Sequence, residues 1–197
     1  MKSVSSVVVI AAALTCAAWR PSIASAQTSP AIEFRVLATT KTSTMEQELN
    51  EAADAGFRFQ AVMGGSTAFG GNEVVVVMSR SGPPKGRYVY TLLATNKTST
   101  MQKELQDAAN TGFEYRGQTV FKSVFGGEEV VCILERDKDA PIQAVEYQLV
   151  ATSKTSTLEK ELRDEGAAGF QIVGMTVAKT ALGGKELVAI TRRVKTR

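Results

Sequence analysis

The sequence predicts an α+β protein built from three tandem βαββ modules, each a three-stranded antiparallel sheet packed on one short helix. One observation is the tetrapeptide Lys-Thr-Ser-Thr, which begins at Lys41, at Lys97 and again at Lys154. A second is that a longer pattern returns around each copy at a nearly constant spacing, which indicates duplication of a folded unit within the chain. A third is the hydrophobic periodicity, which changes within each copy from two to that of a helix and back to two. We place the modules at residues 31–81, 87–138 and 143–195.

Each module opens with a predicted strand. An aromatic residue, a branched aliphatic residue and an alanine follow one another at every second position: Phe34, Val36 and Ala38; Tyr90, Leu92 and Ala94; Tyr147, Leu149 and Ala151. A period of two is typical of a half-buried strand. We expect a helix to lie across this face and to approach it most closely at the alanine.

A helix should follow each opening strand. Ser43, Ser99 and Ser156 are the predicted N-caps, because Glu46, Gln102 and Glu159 stand three residues later and complete a capping box. Gly56, Gly112 and Gly169 stand where a left-handed residue ends a helix, and a phenylalanine follows each of them. The third helix contains Gly166 and should be the weakest, by roughly 1 kcal/mol relative to alanine there.

Two strands joined at a Gly-Gly turn complete each module. The return strands, predicted over residues 74–78, 130–134 and 187–190, are almost wholly apolar. Such runs are typical of strands that are covered on both faces. A unit of about 50 residues buries little apolar surface by itself, so we expect the modules to pack against each other or against an oligomer partner.

The first 26 residues are typical of a secretory signal. Lys2 precedes an apolar run at residues 7–14, and Ala24-Ser25-Ala26 offers a cleavage site between small residues. The apolar run is shorter than the roughly 20 residues that span a bilayer, so we expect cleavage and no stable membrane insertion afterwards. We therefore expect export to a periplasmic or extracellular location.

Composition excludes several classes of function. Lys2 and Arg20 are the only charged residues of the signal, so its removal lowers the 23 basic residues to 21 against 20 acidic ones. A nearly neutral net charge gives no strong electrostatic reason to expect nucleic-acid binding. The chain has no histidine, which removes Ser-His-Asp and Cys-His catalysis and histidine-ligated metals. Cys132, the one thiol left after cleavage, lies in an apolar run and is interpreted as an inert core residue. We expect no enzymatic activity and no cofactor.

The module resembles a family of small bacterial βαββ domains of unknown function. The middle copy carries the pattern of that family in Tyr90, Leu105, Gly112, Phe113 and an Ile-Leu-Glu-Arg run at residues 133–136. The first and third copies depart from it in the last element, where they have Val-Met-Ser-Arg and Ala-Ile-Thr-Arg. More distantly, the element order resembles the dodecin-like architecture of small periplasmic proteins. The resemblance implies a fold and a compartment, and it implies no ligand and no catalytic residue.

The repeated tetrapeptide supports two interpretations. A helix N-terminus with hydroxyl groups and a preceding lysine could bind a small anion; the candidate residues are Lys41, Ser43, Thr44, Lys97, Ser99, Thr100, Lys154, Ser156 and Thr157. Alternatively, the serines cap the helices and the lysines are solvated. The missing glycine-rich lead excludes a phosphate-binding P-loop.

Apolar residues precede the three Gly-Gly turns, namely Phe69, Phe125 and Leu182. Exposed apolar clusters usually mark interaction sites. We therefore expect a non-enzymatic binding or structural protein that acts through protein–protein contacts, either with an unknown partner or by self-association. Binding of a small anionic ligand at the helix N-termini is the alternative.

Overall fold

The computed structural model describes residues 31–67, 71–83, 85–95, 97–122, 128–179 and 184–195. Each module contributes a strand, a helix and two further strands in that order. The elements are β1 (Ile32–Thr39), α1 (Thr42–Asp54), β2 (Arg58–Thr67), β3 (Gly71–Ser81), β4 (Tyr88–Thr95), α2 (Thr98–Asn110), β5 (Glu114–Lys122), β6 (Glu128–Asp137), β7 (Val145–Thr152), α3 (Thr155–Ala167), β8 (Gln171–Lys179) and β9 (Lys185–Val194). The predicted α+β class with three βαββ modules is confirmed.

The last strand of each module lies at the centre of its sheet. The strand orders are β1-β3-β2, β4-β6-β5 and β7-β9-β8, and every pairing is antiparallel. The return strands are longer than predicted because they pair with both neighbours. A bulge interrupts the second strand at the same place in each module, between Phe59 and Ala61 in the first.

The modules are stacked in layers. Each sheet has an inner face, which covers its own helix, and an outer face on the opposite side. The apolar side of α1 contacts the inner face of its own sheet at Val74, Val76 and Met78, and it also contacts Tyr90 and Ile133 on the outer face of the second sheet. The second helix is enclosed in the same way between the second and third sheets. A helix therefore joins its own module to the following one.

At one side of the stack the sheets touch directly, since β2 contacts β5 and β5 contacts β8. Glycines permit this approach. A methyl group at Gly117 would lie 3.0 Å from the ring of Phe59, and one at Gly174 would lie 2.2 Å from the Tyr115 hydroxyl oxygen. The described residues show no comparable contact between β8 and β2, so the stack is open at both ends.

The predicted helix ends are confirmed. Gly56, Gly112 and Gly169 have φ of 86°, 88° and 85°. In the first module, the N–H of Gly56 donates to the carbonyl of Ala53 and that of Phe57 to the carbonyl of Ala52, which is a Schellman motif. Arg80 lies over the Phe57 ring and donates to the carbonyl of Ala55.

The helix predicted to lie across the opening strand is that of the preceding module, since Tyr90 and Leu92 pack with α1. For the first module the prediction is wrong, because Phe34, Val36 and Ala38 lie on the outer face and all three are exposed. The equivalent Tyr90 and Tyr147 are buried because the preceding module covers them, whereas no described module covers the first sheet in this way. Ala94 is exposed and Ala151 is half-buried, so the helix does not approach closest at the alanine.

Two-sided burial of the return strand holds best for β6. Val131 and Ile133 face the first module's helix, whereas Val130, Cys132 and Leu134 face α2. Burial raises the pKa of the Cys132 thiol to about 12, in keeping with an inert core residue.

Among the described helices, none has the length and apolar character needed to cross a membrane.

Candidate functional site

Each helix begins two residues earlier in the repeated tetrapeptide than predicted. Lys41, Lys97 and Lys154 are the N-cap residues with extended backbone angles, and no side chain caps any of the three helices. The threonine two residues earlier accepts a hydrogen bond from each lysine N–H, for example Thr39 from Lys41 at 3.2 Å. This turn brings the next residue into the helix, so the prediction that Ser43, Ser99 and Ser156 are N-caps is wrong.

The predicted capping boxes are also wrong, because Glu46 and Gln102 bind the next module and Glu159 pairs with Arg163. Glu46 accepts a hydrogen bond from the Leu92 N–H at 2.7 Å, and Gln102 accepts one from the Leu149 N–H at 2.6 Å. One turn further on, Asn50 bonds to both the N–H and the carbonyl of Tyr90. Helix side chains thus form hydrogen bonds with the backbone groups at the edge of the following sheet. These groups would otherwise need water or another strand as a partner.

The candidate anion-binding residues remain on the surface. The three lysines and the three serines are exposed, and Thr44, Thr100 and Thr157 are half-buried. The N-terminus of α2 lines a groove of about 680 Å³ with Thr98, Ser99 and Gln102 on one side, and Glu161, Asp164 and Glu165 of α3 on the other. Carboxylates at this groove oppose an anion there. Anion binding at the helix N-termini stays a prediction.

The described residues neither test the predicted loop tips nor provide a candidate metal site. Phe69, Phe125 and Leu182, the candidate loop tips, lie outside the described residues. Within the described ranges, no group of three or more Cys, Asp or Glu side chains is placed to hold a metal ion.

The junction between the first two modules contains a buried charge. The Glu135 side chain on the outer face of the second sheet has no exposed area, and Arg58 and Arg116 each approach it at 2.9 Å. Tyr90 donates its hydroxyl to Glu135 at 2.7 Å and accepts the Phe59 N–H at 2.9 Å. Burial, together with the bond to Glu135, raises the pKa of Tyr90 well above its ordinary value. The carboxylate is compensated by two cations and a hydroxyl donor.

The second junction repeats this arrangement with the charges exchanged. Glu114 occupies the position of Arg58, Arg192 occupies the position of Glu135, and the two are 3.0 Å apart. Tyr147 takes the role of Tyr90 and accepts the Tyr115 N–H at 2.8 Å. Opposite charges therefore meet when each module packs on the one that follows it. Packing of the first module on the third would instead bring Arg58 against Arg192.

The outer face of the first sheet is apolar and uncovered in the described structure. We call it the head face; it consists of Ile32, Phe34, Val36, Ala61, Met63, Val75 and Val77. Phe34 is 64% exposed, whereas its equivalents Tyr90 and Tyr147 are 2% and 1% exposed. Full burial of each large apolar side chain would contribute about 1.5–3 kcal/mol.

The opposite end of the stack is uncovered as well. We call it the tail face; it consists of the outward side of α3 with Ile172, Met175 and Val177 of β8. Ile172 is 52% exposed, whereas its equivalents Phe59 and Tyr115, which the following module covers, are 9% and 8% exposed. The outward side of α3 is polar, with Glu159 and Arg163 paired at 2.9 Å.

Sequence reasoning found Phe34 and Val36 of the head face but expected a helix to cover them. The repeat itself was the available signal. The opening strands of the second and third modules follow a module that contains a helix, and the repeat pattern shows no such helix before the first opening strand. No protein-family model matches the chain, and neither a curated protein nor a solved structure matches it significantly.

Proposed function

We propose that this is an exported, non-enzymatic interaction protein that acts through protein–protein contacts of its head face. One observation carries the proposal: Phe34 is exposed where its equivalents Tyr90 and Tyr147 are buried. Val36 is exposed as well, whereas its equivalents Leu92 and Leu149 are half-buried. An apolar surface rimmed by polar residues usually marks an interaction site. The signal at residues 1–26 supports export, and the lack of histidine supports a role without catalysis.

A photo-crosslinking amino acid at residue 34 tests the proposal. We expect a crosslinked protein adduct when the exported fraction is irradiated, because a bound partner would lie within reach of this side chain. The control places the same amino acid at Gln47, which is exposed on α1 and outside the head face. Equal or absent crosslinking at the two positions would contradict the proposal, and an exported chain that does not begin at Gln27 would contradict the cleavage site.

A further inference from the structure

The head face and the tail face are the two halves of one contact. Inside the chain, the helix and second strand of one module pack on the outer face of the next, and this junction occurs twice. We propose that the tail face of one copy packs on the head face of a second copy, so that chains associate head to tail. This inference rests on the proposed function, since it names the partner of the head face.

Steric fit supports the pairing. At the internal junctions an aromatic ring fills the space above a glycine, with Phe59 on Gly117 and Tyr115 on Gly174. The equivalent residues at the ends are Ile172 of the tail face and Ala61 of the head face. Ile172 is smaller than the aromatic residues at its position, and Ala61 is larger than the glycines at its position. The two changes in side-chain volume therefore compensate each other.

The polar groups at the sheet edge also match. Glu46 and Gln102 accept the N–H groups of Leu92 and Leu149 at the internal junctions. Glu159 occupies their position on the tail face, where it is 74% exposed and paired with Arg163. In a second copy, the residue equivalent to Leu92 is Val36. Glu159 can therefore accept the Val36 N–H, and Arg163 can donate to a carbonyl of the same edge.

The charge pattern permits the contact. One pair of equivalent positions carries the charges at both internal junctions: Arg58 and Glu135 at the first, and Glu114 and Arg192 at the second. Between two copies, the same positions would be occupied by Gln171 of one and Ser79 of the other. These two side chains are uncharged and can hydrogen-bond to each other. No unpaired charge is enclosed at this position.

Two differences make the contact between copies weaker than the internal junctions. Phe34 lacks the hydroxyl with which Tyr90 and Tyr147 accept a bulge N–H. Arg163 lacks the acceptor that Asn50 and Gln106 offer to the strand edge. Association should therefore depend on protein concentration, and a heterologous contact of this kind gives rings or filaments.

Sedimentation velocity of the purified protein tests the inference with two variants. Phe34→Asp disables the head face and Met175→Asp disables the tail face, at positions exposed enough for folding to be kept, which thermal melts check. We expect the wild-type mass to rise with concentration, each variant alone to stay monomeric, and an equimolar mixture to form a dimer and nothing larger. Val194→Asp, at an exposed apolar residue of neither face, should associate like the wild type.

Other outcomes overturn the inference in distinguishable ways. Association of Met175→Asp alone would indicate head-to-head dimers. A wild type that stays monomeric, together with an intermolecular adduct at residue 34, would indicate a different protein partner and leave the proposed function standing. A crosslink from residue 34 to residues 1–30 of the same chain, or no adduct at all, would remove both.

Phe34→Tyr supplies a second measurement that needs no loss of binding. The added hydroxyl can accept the Ile172 N–H of the second copy, as Tyr90 accepts that of Phe59. We expect association to strengthen by about twofold to tenfold, as one net hydrogen bond allows. Unchanged or weaker association would contradict the proposed register, because Phe34 is too exposed for the hydroxyl to act within its own chain.

Discussion

Tyr90 and Tyr147 show how one side chain can secure a junction between modules. Each hydroxyl accepts the N–H of a bulge in the preceding module. Only Tyr90 also donates to a carboxylate, since the second junction has Arg192 where the first has Glu135. The same residue type therefore makes a stronger set of bonds at the first junction.

We predict that Tyr90→Phe lowers the free energy of unfolding by about 1.5–3 kcal/mol, the range for a hydrogen bond to a charged group. Tyr147→Phe should cost less, about 0.5–1.5 kcal/mol, because the Tyr147 hydroxyl has no carboxylate to donate to and its bond to Arg192 is weaker than its bond to the Tyr115 N–H. Urea denaturation followed by circular dichroism measures both. Equal losses, or a larger loss for Tyr147→Phe, would show that the Tyr90 bond to Glu135 contributes little.

At the scale of the element, the third helix is the least firmly held of the three. It buries Leu158 alone, whereas α1 buries four side chains. Glu165 and Gly166 replace two alanines of the earlier helices, and Glu165 lies near the buried hydroxyl of Thr191 at 3.3 Å. A terminal module with a more polar helix is common in stacked repeats.

Two glycines of this helix should respond in opposite ways to the same substitution. Gly166 is helical with open space around it, so Gly166→Ala should raise the free energy of unfolding by about 0.5–1 kcal/mol. Gly169 also has open space but a φ of 85°, so Gly169→Ala should lower it by roughly 1 kcal/mol. Thermal and urea melts compare the two. A gain for both would mean that backbone conformation does not limit this position.

Local signals in the sequence predicted the elements but not all of their contacts. Gly56 ends its helix as predicted because a left-handed residue needs only its neighbours in the chain. Glu46 was assigned to a capping box because spacing cannot show that a strand of the next module lies within reach. Phe34 and Tyr90 have the same local pattern, yet in the described part of the chain only Tyr90 is covered by another module.

For the whole molecule, the packing of one sheet on the next depends on close backbone approach. A methyl group at Gly64 would lie 2.4 Å from the carbonyl oxygen of Val120 in the next module, whereas Gly65 has nothing within 4 Å. Neither has a left-handed φ, so the two positions differ mainly in their neighbours. The junction therefore allows a direct test of how strongly the modules support one another.

We predict that Gly64→Ala lowers the free energy of unfolding by about 1–3 kcal/mol, because the two sheets must separate to admit the methyl group. Gly65→Ala should change it by less than about 1 kcal/mol. Denaturant titration of the whole chain measures the difference. If Gly64→Ala proves as mild as its neighbour, the contact between β2 and β5 is looser than the structure describes.

The exchanged charges at the two junctions have a consequence for how the gene can change. Segments encoding similar repeats can recombine, and such an event could delete the middle module. The shortened chain would bring Arg58 against Arg192, leaving two guanidinium groups together and neither of their carboxylates present. Repulsion between them would weaken the only junction left. The shortened protein would be less stable, so selection for a folded product would disfavour it and help to keep the number of modules at three.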